Sequence, residues 1–348
     1  RTAWNGSGTQ APGMAWNDFN NKRILGTVPV EDDGSAYFAV PADRFVYFQL
    51  LDEKGMMVQS MRSGTIVRPG ETLGCIGCHE DRRSSVPNVP RKAMGRTPDR
   101  LKPWYGVPRL FNYRTEVQPV FDKHCVRCHD FGKKGAKKVV LAGDLARSFN
   151  VSYMELRRKN LVKVVGAGPP DVQMPYSWGS HASKLARVLR EGHNNVKLDA
   201  ESFDRIVTWI DINAPYYPSY ASVYPDNLYG RCPLDGKQLA ALAKLTGKKV
   251  NGQHHEPLIS FTRPELSPCL AGLKEKRDPR YAEALAIIRA GQQMLAKRPR
   301  MDMPDAKLYG IDADREAKYQ RMARRETEAR KAIVADRKHY DMPRAGGE

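Results

Sequence analysis

No stretch of this chain approaches the roughly eighteen consecutive apolar residues that a membrane-crossing helix needs, so no transmembrane segment is expected. A glycine-rich phosphate loop is missing as well, and so is any recognisable nucleic-acid motif. Acidic residues are in deficit, 39 against 57 Lys and Arg, for a formal charge of +18. A basic excess of that size suits nucleic acid or an acidic surface, but the charges are spread along the chain, so an acidic protein or a neighbouring subunit is the expected partner, not nucleic acid. The chain opens at Arg1 with neither an initiator Met nor a signal peptide and reads as a processed chain or a piece of a longer one. Hydrophobic residues at 41% and charged ones at 28% describe a globular composition with neither a disordered nor a membrane bias.

Cysteine is scarce, yet four of the six residues fall into two matching patterns. In VQPVFDKHCVRCHD, residues 117–130, Cys125, Cys128 and His129 spell C-x-x-C-H, and Cys75, Cys78 and His79 repeat it upstream. Two thiols on one tight helical turn can each add to a porphyrin vinyl group, which carries the next histidine under the iron as an axial ligand. A C-x-x-C pair alone would equally suit a zinc half-site or a redox dithiol. The adjoining histidine and the second copy instead point to two covalently bound haem c groups, with zinc not expected. Haem attachment of this kind takes place outside the cytoplasm, so a periplasmic or other extracytoplasmic location follows. The acidic partner is then expected to be a redox partner, and the exposed-looking run Lys133, Lys134, Lys137 and Lys138 is either its docking loop or only a solvated surface. The remaining cysteines, Cys232 and Cys269, are expected to form a disulfide in such a compartment, the alternative being two buried thiols.

The expected fold class is α+β: a small antiparallel β-sandwich-like unit followed by a mainly α dihaem cytochrome c region with irregular loops. Short β-branched and aromatic runs at 24–30, 37–40, 45–51 and 56–61, separated by turn signals, predict four or five strands within a β-rich domain at 1–73, behind an N-terminal linker. A dihaem domain at 74–224 follows. Its stretch 80–116 carries Pro87, Pro90, Pro98, Pro103 and Pro108, cannot hold a long helix, and is expected to wrap irregularly over a haem. A helical extension occupies 225–311, and a charged helix and tail 312–348, the helix lying exposed on the body or on a partner.

His79 and His129 are the expected proximal ligands. For the far side of the second iron the candidates are His193, His181 and Met174. His193 comes first, because Gly192-His193 lies between two amphipathic stretches, one striped by Leu185, Val188 and Leu189 and the other by Phe203, Ile206, Val207 and Ile210. The plain alternative for a histidine there is a helix-end residue meeting a carbonyl or a propionate. His124, directly before Cys125, is the candidate ligand from this peptide to the first haem, or else a side chain packed on the second. His254, His255 and His339 read as surface residues.

Several phrases carry a resemblance. VPVEDDGSAYFAVPADRFVYFQLLDEKG and MRSGTIVRPGETLGCIGCHE, continuing through VQPVFDKHCVRCHD, SHASKLARVLREGHNNVKL, WIDINAPYYPSY and Arg300-Met301-Asp302-Met303-Pro304, resemble the middle and haem-bearing region of the hydrazine synthase alpha subunit and its bacterial relatives. The resemblance implies a preceding β-propeller and partner subunits in a larger complex. It also implies a first haem whose iron is bound by a tyrosine four residues beyond the motif histidine, which itself turns to zinc. Here that position is Arg83, a permanent cation that cannot replace a phenolate, so hydrazine synthesis is not expected and His79 is taken as an ordinary proximal ligand. In a related small-cytochrome pattern the ligand loop sits between a Ser-x-Leu helix and a Trp-Ile helix, where this chain has Gly192-His193. The leading expectation is a dihaem electron carrier between a donor and a redox partner or catalytic site. The alternative is a haem enzyme acting on a small nitrogen or oxygen compound at an open first haem.

Overall fold

Prolines at 98, 103 and 108 limit how much sheet the N-terminal part of the chain can form. The computed structural model describes residues 12–16, 18, 20–76, 89–166, 173–251, 256–275 and 277–335. The expected sandwich is reduced there to one antiparallel hairpin, β1 (Gln49–Leu51) and β2 (Met57–Ser60), joined through a turn at residues 52–55. The other predicted strands make isolated bridges only. Arg23 meets Leu110, Thr27 meets Lys102, Phe38 meets Asp99, and Val46 meets Thr65. Three of these partners lie in the proline-rich segment, and a proline one or two residues from each has no N–H with which to extend the ladder. Residues 99–110 thus pair with the early strands.

Nine α-helices follow among the described residues: α1 (Tyr113–Glu116), α2 (Gln118–His124), α3 (Val151–Arg158), α4 (Lys184–Glu191), α5 (Ala200–Asp211), α6 (Gly236–Thr246), α7 (Ala271–Glu275), α8 (Arg280–Lys297) and α9 (Gly310–Val334). Side-chain caps start α3 and α5, where Asn150 accepts from the Tyr153 N–H and Asp199 from the Ser202 N–H. None of the nine is long and apolar enough to cross a membrane.

Two apolar cores hold these elements. The first gathers α1, α2, α3 and α5 around Tyr113, whose ring centroid lies 5.2 Å from Tyr153, 5.0 Å from Trp209 and 5.5 Å from Tyr216. Each polar end in the cluster is satisfied: Tyr113 Oη pairs with Ser152 Oγ, Tyr153 donates to the Ala214 carbonyl, and Trp209 Nε1 to the Pro215 carbonyl. Met14 and Met56, from the N-terminal segment and the hairpin, are buried in this same core. The second core packs α6, α7 and α8 around Leu234, Leu242, Phe261 and Ile288. Cys232 and Cys269 are both buried in it as free thiols, so the expected disulfide is not formed. Burial in a packed core supplies there the stabilisation that a small secreted domain takes from a bridge, and it pushes the Cys232 thiol up to about 11.

Helix α9 is the exposed charged helix expected from its composition. Asp312 near its start accepts from the Ser222 N–H, while Arg330 and the buried Ala332 near its end reach the body, Arg330 through Asp43 at 2.7 Å.

Asp211, at the end of α5, ties the hairpin to the helices. Its carboxylate accepts from Ser180 N, Ser180 Oγ and the Met57 N–H, and its carbonyl accepts from Gln49 Nε2. Burial outweighs those bonds and raises its carboxyl from 3.8 to about 6. Between about pH 4 and 6 the folded chain keeps a proton that the unfolded chain has lost, so this group's stabilising effect is full below pH 4 and is lost as pH rises through 6. Asp211→Asn should abolish a fall on the order of 2 kcal/mol between pH 4.5 and pH 7, measured by comparing the urea unfolding of variant and parent at those two pH values.

Candidate haem-binding site

Helix α2 runs straight into the second cysteine motif. The Cys125 N–H donates to the Phe121 carbonyl at 2.8 Å, and the N–H groups of Cys128 and His129 donate to the Cys125 carbonyl at 3.1 and 2.9 Å, so all three residues sit on one continued turn. Phe121 and Val120 anchor that turn in the first core, while Cys128 is exposed and Cys125 half-buried. Burial pushes the Cys125 thiol up to about 11, the opposite of the depressed thiolate of a redox dithiol.

The loop after the motif returns to orient the histidine. The Gly135 N–H donates to the Cys128 carbonyl, the Leu141 N–H to the His129 carbonyl, and His129 Nδ1 lies 3.0 Å from the Val139 carbonyl. A ring N–H committed to a backbone carbonyl leaves Nε2 as the ligating nitrogen. Gly135 is needed for this approach, because a Cβ there would meet the Cys128 carbonyl at 2.5 Å and His129 Nδ1 at 2.8 Å. Gly135→Ala should therefore push the loop off the histidine and cost roughly 1–3 kcal/mol. A thermal or urea melt reads that loss, and an unchanged midpoint would contradict the close approach.

Across from His129 stands His193, with ring centroids 5.8 Å apart and planes at 36°. Two imidazoles on opposite sides of one metal, with nitrogens about 2 Å from it, place their centroids about 6 Å apart. The chain reaches this position through Gly192, at φ +93° after α4, and a tight turn in which Asn194 and Asn195 both have positive φ and the Val196 N–H donates to the His193 carbonyl. That is the pattern of a type I′ turn, which asparagine tolerates better than most side chains. The stripe expected on α4, Leu185, Val188 and Leu189, is only half-buried, so apolar surface is left on the helix that presents His193. A proximal histidine with its Nδ1 engaged, a facing imidazole, accessible cysteines on the attachment turn and half-covered apolar side chains together fit a covalently held haem.

The other candidates lie elsewhere. His181 is turned away from His129: its Nε2 is 2.9 Å from Asp52 Oδ2 in the hairpin turn, and its ring stands edge-on to Tyr176 at 4.9 Å. Met174 is exposed, with its carbonyl accepting from Ser177. His124, at the last position of α2, has a buried Nε2 without a hydrogen-bond partner. In the first motif Cys75 is exposed, whereas Cys78, His79 and Arg83 lie outside the described residues, as do His254, His255 and His339. Lys133, Lys134, Lys137 and Lys138 are all exposed.

The chain also has recognisable similarity to known proteins. Residues 1–80 match the family model of the hydrazine synthase alpha subunit middle domain. The chain is hydrazine synthase alpha-like. The hydrazine synthase subunit alpha of Kuenenia stuttgartiensis is 25% identical, with the match covering 58% of this chain and 35% of that protein. The chain thus spans about a third of the relative's length. A solved structure of Kuenenia stuttgartiensis hydrazine synthase aligns at a TM-score of 0.38 and 21% identity, over 61% of this chain and 36% of that one.

In this hydrazine synthase alpha-like chain, some residues around the site carried no signal in the sequence. Asp130, Asp144 and Arg263 form an ion cluster beside His129, with Arg263 coming from more than a hundred residues away. A lone arginine after Thr262 has no pattern that assigns it to a site.

Proposed function

We propose that this chain is the haem-bearing part of an extracytoplasmic, hydrazine synthase alpha-like redox enzyme, with two haem c groups on Cys75/Cys78 and Cys125/Cys128. The observation that carries the reading is the facing pair His129 and His193 beside the Cys125–Cys128 turn. Two imidazoles would saturate the second iron and leave it suited to electron transfer alone. The first haem, on His79, is then the place for chemistry on a small nitrogen or oxygen compound. The similarity to hydrazine synthase alpha favours this enzyme over the simple carrier expected from the sequence. The bound haems supply one-electron redox chemistry and an iron coordination position. The chain's own contributions are to fix the His129 tautomer through the Val139 carbonyl, to bring His193 opposite, and to pack apolar side chains around the macrocycle. Arg83, where the resemblance calls for tyrosine, argues for a substrate other than the precursors of hydrazine. Because the relative is a subunit, partner subunits are part of the proposal, together with an acidic electron donor.

The chain produced in a host that attaches haem c decides the matter. Two haems per chain by pyridine haemochromogen, one low-spin and one that shifts with carbon monoxide after reduction, would support the enzyme. Two low-spin haems with no carbon monoxide response would leave only the relay, and protein without covalent haem would sink both.

A further inference from the structure

The loop that orients His129 is stapled at both ends by one side chain from the second core. Asp130 opens the loop and Asp144 stands just past its end. Arg263 Nη1 and Nη2 hold Asp130 at 2.8 and 2.6 Å, while Nε and Nη2 hold Asp144 at 2.9 and 2.7 Å. Between these anchors lies Val139, whose carbonyl meets His129 Nδ1. The mount of the arginine is itself tied down. The Arg263 N–H donates to Ser260 Oγ, Ser260 Oγ to Asp144, the Phe261 N–H to the Leu145 carbonyl, and the Leu145 N–H to Thr262 Oγ1. The guanidinium also lies 5.4 Å from the centre of the Phe131 ring, the first residue inside the loop.

We propose that Arg263 is a positioning residue for the second haem, fixing the angle of the His129 imidazole by clamping both ends of the loop that carries the Val139 carbonyl. The proposal rests on the haem reading given above. A planar fork with five donors can join two carboxylates at once, whereas a lysine offers the same charge from a single point, so charge and geometry can be separated by substitution. Groups behind a ligating histidine set its orientation and basicity, and thereby the properties of the metal.

The test uses the full chain with its haems attached, as wild type, Arg263→Lys and Arg263→Gln. Haem content is read first by pyridine haemochromogen, and then the low-spin EPR g-values and reduction potential of the second haem are measured. The g-values report the relative orientation of the two axial imidazoles, which loss of fold stability alone does not move. Both variants should shift the g-values and the potential from wild type, with haem content unchanged. If Lys restores the wild-type values and only Gln shifts them, charge and not the fork is at work, and the proposal fails. It fails equally if both variants match wild type. Should Gln not fold, the lysine variant alone decides. A wild-type chain with no low-spin haem would instead count against the His129–His193 reading.

Discussion

With haems bound as proposed above, replacing His193 with Ala is expected to turn the second haem from low-spin to high-spin and open it to carbon monoxide. The expectation follows from position: the His193 ring is 5.8 Å from that of His129 and approaches it from a separate element. Alanine removes the only imidazole seen facing His129 among the described residues, and the half-buried stripe of α4 offers no replacement ligand. The low-spin EPR signal of that haem should disappear, with nearly complete conversion, while the attachment through Cys125 and Cys128 is kept. His181→Ala is the matched control. It should leave the spectrum alone and cost only about 1–2 kcal/mol through the lost Asp52 contact. A His193→Ala protein with a wild-type spectrum, or a His181→Ala protein that turns high-spin, would mean that the axial assignment is wrong.

The largest effect on stability is expected at Asp302. Arg300 and Asp302 are both fully buried and joined by two bonds of 2.8 Å, at the place where the two cores meet. Around them Arg300 Nη1 donates to the Ala146 carbonyl, and Tyr216 Oη donates to Asp302. Burial alone would raise the Asp302 carboxyl, but Arg300 more than offsets it and holds the group below its ordinary range. Asp302→Ala leaves an uncompensated guanidinium in the interior, which costs about 3–5 kcal/mol. The paired change Arg300→Met with Asp302→Leu should recover most of that loss, since apolar side chains of similar size remove both charges together. Urea unfolding followed by far-UV circular dichroism gives both numbers. A small loss in the single variant would show that water reaches the pair.

Different parts of the fold were legible to different degrees. The stripes of α4 and α5 have helical spacing in the sequence, and both helices form where that spacing puts them, because a 3.6-residue period is a local property. The early β-branched runs have a clear strand composition between turn signals, yet only Gln49–Leu51 and Met57–Ser60 become strands. A strand needs a partner able to donate along its whole length, and the partner met by residues 23–38 is interrupted by prolines. Cys232 and Cys269 show the same divide. Their even number suggested a bridge, but whether two thiols pair depends on how helices distant in sequence pack around them.

The sequence by itself put two cysteines and a histidine at C-x-x-C-H spacing on one turn, which needs no distant residue to define it. It also determined the turn that carries His193, through Gly192 and two asparagines. Only the tertiary structure separates the candidate histidines: the His193 ring comes to stand opposite His129, whereas His181 meets Asp52. It alone brought Arg263 to Asp130 and Asp144, and it alone buried the local Arg300–Asp302 pair between the cores, against the Ala146 carbonyl and Tyr216. Those decisions rest on contacts between residues far apart in the chain, and no local period or spacing encodes them.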